Sequence, residues 1–158
     1  MMLKRIGMVA LGLFVAACEP LDSGGGAGVG GRLAFVRDGA LVTSLDSGDG
    51  ERTVTDIGTS AEPALSPNGQ SVVFAYSAAK DERARGLQTV AFGGEQLALL
   101  AAPPAGTSYG SPVFSPDGTT VVFAATDGID SRLYRVDVGG GAPVPVARTE
   151  GDLRFPSF

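Results

Sequence analysis

The sequence predicts an all-β fold of the β-propeller type. It is built from four-stranded antiparallel blades and is incomplete, with about two full blades plus partial ones. Three observations predict it. The first is an internal repeat. Ser66-Pro67-Asn68-Gly69-Gln70-Ser71-Val72-Val73-Phe74-Ala75-Tyr76 and Ser115-Pro116-Asp117-Gly118-Thr119-Thr120-Val121-Val122-Phe123-Ala124-Ala125 agree at seven of eleven positions, 49 residues apart. Self-similarity at such a period is the mark of a repeat architecture. The second is composition: 24 glycines, no tryptophan, no histidine, and plentiful Val and Thr, which suits short strands joined by tight turns. The third is spacing. Four short strands fit into each unit of about 40–50 residues, as in a propeller blade.

The elements follow in order. The stretch from Gly31 to Gly58 reads as a blade without its first strand, with strands over 32–37, 41–45 and 53–57. In the next unit Pro63 and Leu65 lead into the Ser66 turn, and Leu87-Gln88-Thr89-Val90 precedes a Gly93-Gly94 turn. In the third, the strand over 112–115 meets the turn Pro116-Asp117-Gly118, followed by a strand over 119–125. Proline presets φ at the second turn position, Asn or Asp suits the third, and Gly takes the fourth without a Cβ clash. The same roles fall to Pro67, Asn68 and Gly69. Val121 to Ala124 is apolar at consecutive positions, the pattern of a strand covered on both faces. Strands over 132–138 and 143–147 close the unit. Pro143 and Pro145 cannot donate ladder hydrogen bonds, so the last strand belongs at an edge.

These residues resemble the WD40-like propeller repeat of the TolB type. Its hallmark is Pro-x-(Phe/Trp)-Ser-Pro-Asp-Gly, an apolar strand, then Leu-Tyr-x-Val-Asp and a glycine turn. Pro112 to Asp137 carries all of it; Pro63 to Gly94 carries it with Leu65, Asn68, Gln88 and Ala91 as departures. Pro156-Ser157-Phe158 repeats Pro112-Val113-Phe114 at an offset of 44. Propellers usually have about four to eight blades. Three readings accommodate the count: part of a longer propeller, which is favoured; a short stacked array with exposed edges; or a homodimer that completes one ring.

The N-terminus carries a separate signal. Lys4 and Arg5 precede an uncharged apolar run from Ile6 to Ala17, 12 residues long. A membrane-spanning helix needs about 20, so residues 1–17 read as an export signal. The run ends Val15-Ala16-Ala17-Cys18 and resembles the lipobox of bacterial lipoproteins. The resemblance implies cleavage before Cys18 and a diacylglycerol on its sulfur. Cys18 is the sole cysteine, so an internal disulfide is excluded. Glu19 stands where an Asp would favour retention at the inner membrane, which points to the periplasmic face of the outer membrane. Residues 18–31 form a lipidated, Gly-rich tether, and residues 32–158 the repeat domain. Gly26 to Gly31 nominally matches a dinucleotide motif, but no helical pattern follows it, so it reads as flexible linker.

Removal of Lys4 and Arg5 with the signal leaves 10 basic against 17 acidic residues. An acidic chain of this kind has no electrostatic footprint for nucleic acid. Without histidine, His-dependent triads and His-based metal sites are excluded. No catalytic residue, metal or cofactor is expected. Lys80 to Arg85 reads as a solvated hairpin loop or a partner contact, and Asp46–Glu51 and Asp127–Asp130 as hairpin turns. Tyr76, Tyr109 and Tyr134 are expected to pack between strands. TolB-type propellers are periplasmic interaction platforms, so the resemblance implies a membrane-anchored, non-enzymatic module that binds an envelope protein. Two alternatives stay open: the front of a longer propeller-containing hydrolase, and an ion- or glycan-binding lipoprotein.

Overall fold

The computed structural model describes residues 16–18 (backbone only), 31–55, 58–77, 85–146 and 156–157. They form three four-stranded antiparallel sheets whose strand order follows chain order. The first blade contains β1 (Ala16–Cys18), β2 (Arg32–Arg37), β3 (Ala40–Leu45) and β4 (Arg52–Thr53). The second contains β5 (Thr59–Leu65), β6 (Ser71–Ser77), β7 (Gly86–Ala91) and β8 (Ala98–Ala101). The third contains β9 (Ser108–Phe114), β10 (Thr120–Thr126), β11 (Ser131–Asp137) and β12 (Val144–Pro145). The all-β propeller architecture expected from the repeat is therefore present.

One expectation is corrected. The first unit was read as lacking its first strand, yet β1 fills that place, with Ala16 opposite Ala34, Ala17 opposite Leu33 and Cys18 opposite Arg32. The sequence gave no reason to pair a lipobox-like segment with a strand 16 residues away. In this register Cys18 takes the blade position held by Ser66 and Ser115 in the other blades. The outer strands are also shorter than expected. β12 is confined to Val144–Pro145 at a sheet edge, as its prolines require. β4 ends at Thr53, beyond which Thr55 Oγ1 accepts from the Leu41 amide at 3.0 Å.

The core lies between blades. Val72 and Phe74 of β6 pack with Ala34 and Leu41 of the first blade. Val73 and Ala75, on the opposite face, pack with Val121 and Phe123 of the third. All four consecutive side chains of β6 are fully buried, because a sheet covers each face. Tyr109 lies 4.6 Å from Phe123, centroid to centroid, and Tyr134 stacks on Phe123 at 6.1 Å. Tyr76 meets Phe74 edge-on at 6.2 Å. All three tyrosines thus pack between strands.

β10 differs from β6 in one respect. Val121 and Phe123 face the second blade and are fully buried, whereas Val122, the counterpart of Val73, is half-buried. Among the described residues no further sheet covers that face. Identical residues in the two repeats therefore have unequal cover. We expect Val73→Ala to cost about 2 kcal/mol through lost burial and a residual cavity, and Val122→Ala about 1 kcal/mol or less. Chemical denaturation of the two variants measures the difference. Equal costs would mean that another blade, from further chain or a second copy, covers the Val122 face in solution.

Candidate interaction site

The two repeat turns have the same internal wiring. In the second blade the Gly69 amide donates to the Ser66 carbonyl at 2.8 Å, and Gly69 has φ +67°. In the third the Gly118 amide donates to Ser115 O at 2.8 Å, with φ +70°. A positive φ in this region strains any residue with a Cβ, so glycine is required. Ser66 Oγ donates to Asn68 Oδ1 at 2.7 Å and accepts from the Ser71 amide at 2.9 Å. Ser115 Oγ donates to Asp117 Oδ1 at 2.5 Å and accepts from the Thr120 amide at 3.0 Å. The same Oδ1 oxygens accept from the amides of Gln70 and Thr119, each at 3.0 Å.

Sequence reasoning identified Pro67, Asn68, Gly69, Pro116, Asp117 and Gly118 but missed the serines. Ser66 and Ser115 are buried, at 5 % and 7 % exposure, and join the turn to the following strand. Their identity at the head of both repeats was the available signal. The bonds to Ser115 and Thr119 hold the Asp117 carboxyl below its ordinary value of 3.8. Asn68 does the same structural work with a neutral amide oxygen.

The fold brings the two turns together. Pro67 Cδ lies 3.5 Å from where a Cβ on Gly118 would stand. Between them opens a cleft of about 380 Å³. Its walls include Asn68, Ser71, Thr89, Asp117, Phe114 and Val138. Because consecutive strands alternate in direction, the 66–70, 115–119 and 138–142 connections share one end of the blades. The Asp127–Asp130 turn lies at the other end. Asn68 and Asp117 each commit one side-chain oxygen to their turn. The Asn68 amino group, the second Asp117 oxygen and the hydroxyls of Ser71 and Thr89 face a cleft that also offers apolar surface at Phe114 and Val138. Such a mixture holds a polar, extended chain by hydrogen bonds along one wall and by packing on the other.

Neighbouring blades are fastened around this end by contacts that no motif announced. Arg32 Nη1 donates to Gly69 O at 2.7 Å, and its guanidinium lies 4.8 Å from the Phe92 ring centroid. Thr43 Oγ1 donates to Phe92 O at 3.0 Å. Between the second and third blades the Ser111 amide donates to Glu62 Oε2 at 2.5 Å. Glu62 and Ser111, themselves one repeat apart, have φ +51° and +49° at matching bulges in β5 and β9.

The remaining sequence candidates are placed as follows. Cys18 ends β1, and nothing is described of its side chain. Lys80 and most of its loop lie outside the described residues, as does the glycine-rich run before Gly31. Asp46–Glu51 includes the turn between β3 and β4, with the Gly48 amide donating to Leu45 O at 2.9 Å. Asp127 Oδ1 accepts from the amides of Ile129 and Asp130 at 3.1 and 2.9 Å, making a turn between β10 and β11. Among the described residues, no three His, Cys, Asp or Glu side chains gather in a way that could hold a metal ion.

No family model matches the chain, and no curated protein does. Solved structures do. A putative TolB from Agrobacterium tumefaciens superimposes with TM-score 0.61 at 20% identity, over 72% of this chain and 44% of that one. TolB from Acinetobacter baumannii gives 0.56 at 20% identity, over 73% and 29%. The β-propeller domain of the Trilobed protease from Pyrococcus furiosus, described as having an open velcro topology, gives 0.53 at 13% identity, over 83% and 41%. The chain is thus similar in fold to TolB-type β-propellers and spans less than half the length of each of these three.

The shared turn wiring yields a test with a definite sign. A carboxyl held below its unfolded value contributes stability that is present above that value and lost as pH falls through the folded one. Asp117→Asn keeps the acceptor oxygen, as Asn68 shows, and is expected to leave the thermal midpoint at pH 7 close to wild type. It should also blunt the fall in midpoint below pH 3.8. Asp117→Ala, which removes the acceptor, should lower the midpoint at pH 7. Thermal scans from pH 7 to pH 2.5 decide both; an Asn variant as unstable as the Ala variant would contradict the shared role.

Proposed function

We propose that this chain is the propeller portion of a bacterial envelope lipoprotein, anchored through lipid on Cys18, which binds an envelope protein and performs no catalysis itself. The observation that carries the binding role is the convergence of the two repeat turns on one cleft. Asn68, Ser71, Thr89 and Asp117 supply hydrogen-bonding groups there beside Phe114 and Val138. Fold likeness to TolB from two bacteria supports an envelope setting. The anchor rests on the sequence: a charged start, a 12-residue apolar run and Ala16-Ala17-Cys18. Two or three acyl chains, at about 0.8 kcal/mol per buried methylene, hold a protein durably at a membrane.

An enzymatic reading draws on the likeness to the propeller of the Trilobed protease. In that reading the propeller would be the front of a longer hydrolase. A downstream domain with G-x-S-x-G and a histidine in the complete coding sequence would favour it.

Fractionation of the producing cell tests the anchor. Wild-type protein is expected in the membrane fraction, with a mass equal to the chain from Cys18 plus acyl groups. Cys18→Ala is expected uncleaved and without acyl mass, and to lose the lipid-dependent association. An unchanged mass and distribution in that variant would end the lipoprotein reading.

A further inference from the structure

We propose that the cleft between the repeat turns faces the anchoring membrane, and that its occupant is an extended, Lys- or Arg-bearing segment of a membrane-proximal envelope protein. The proposal rests on the lipoprotein reading and adds to it an orientation and a class of partner.

The geometry begins with the point where the tether joins the domain. β2 starts at Arg32, and the Arg32 side chain is bonded to the Gly69 carbonyl in the very turn that forms one wall of the cleft. The amide of Asp46 also donates to the Gly31 carbonyl at 2.7 Å, which fixes the last tether residue beside the β3–β4 turn. The chain therefore enters the domain at the cleft-bearing end of the blades. The Asp127–Asp130 turn, with Ile129 91% exposed, lies at the far end.

The tether is short. Residues 18–31 are 14 in number, and a Gly-rich chain of that length spans about 20 Å root-mean-square. A domain held so closely by one end keeps that end towards the membrane surface for most of its orientations. The cleft then opens into a gap that a protein standing on the same membrane reaches, and that one diffusing freely reaches less often. Charge narrows the class further. Asp117 is the one ionisable side chain lining the cleft, and the chain from Cys18 onward carries 10 basic against 17 acidic residues. A segment carrying a cation complements both.

Photocrosslinking in the producing cell, on the full-length gene, tests this. A photoreactive residue replaces Thr89 in the cleft or Ile129 at the far end. The tether is native or is lengthened threefold by Gly/Ser insertion after Gly25. The expected result is a polypeptide adduct from position 89 and none from position 129, with a yield that falls about fivefold on lengthening, following the −3/2 power of tether length. Asp117→Asn, which retains the turn acceptor, should cut the adduct severalfold. Thermal scans of the purified variant establish that it is folded. A yield independent of tether length, equal adducts at both positions, or an adduct to lipid alone would overturn the proposal. The mass of Cys18 is read in the same samples: acylated protein with no length dependence defeats the orientation only, whereas unacylated protein defeats the anchor reading with it.

Discussion

Val72, Val73, Phe74 and Ala75 are consecutive in β6 and all fully buried. A strand in an antiparallel sheet turns alternate side chains to opposite faces. Four buried neighbours in a row therefore require a sheet on each side. That cover comes from the first blade for Val72 and Phe74 and from the third for Val73 and Ala75. No blade buries its own second strand alone, so each depends on its neighbour for its apolar surface. This dependence makes the structure an array, and it explains why the stability of a given residue type varies with position along it. Val73 and Val122 are chemically the same, but the described blades cover them unequally.

Packing of blade on blade also sets the distance between the repeat turns. Once β6 and β10 bury a common set of side chains, the turns that precede them stand side by side, with Pro67 against Gly118. The wiring inside each turn is then protected, because Ser66 and Ser115 are buried while Asn68 and Asp117 remain exposed. One half of each turn is structural, and the other half is free to meet a partner. The difference between the two copies falls on that outer half: a neutral amide in one blade and a carboxylate in the next. Repetition thus produces a cleft whose walls share a scaffold and differ in charge.

Much of this was legible in the sequence because it is local. The Pro-Asx-Gly turns, the unbroken apolar run of the second strand and the prolines of the outer strand each have a short-range physical cause. What could not be read depends on pairs of residues far apart in the chain. Glu62 meets the Ser111 amide 49 residues away, and Arg32 meets Gly69 across 37. Neither is predictable until the angle between blades is known. The serine relay lies between these extremes. Identity at Ser66 and Ser115 was visible, but only the burial of their hydroxyls shows that they join turn to strand.

The segment β1 brings the two halves of the sequence into direct competition. Ala16, Ala17 and Cys18 pair with Ala34, Leu33 and Arg32, yet the lipobox reading places the scissile bond between Ala17 and Cys18. Cleavage there removes two of the three residues that line the inner edge of the first blade. The blade itself does not depend on them. β2 pairs with β3 at all six of its positions, Ala34 and Leu41 are buried against the second blade, and Arg32 is clamped to Gly69. The loss therefore falls on the free backbone groups of one strand edge. An unpaired edge remains soluble only if it is hydrated, covered or paired with another strand. Cys18, at the end of β1, is where both demands meet: the longer it stays in register with Arg32, the less of it is available to the membrane. Acylation and strand pairing thus exclude each other at this residue, and the order in which they occur decides which form of the first blade the cell contains.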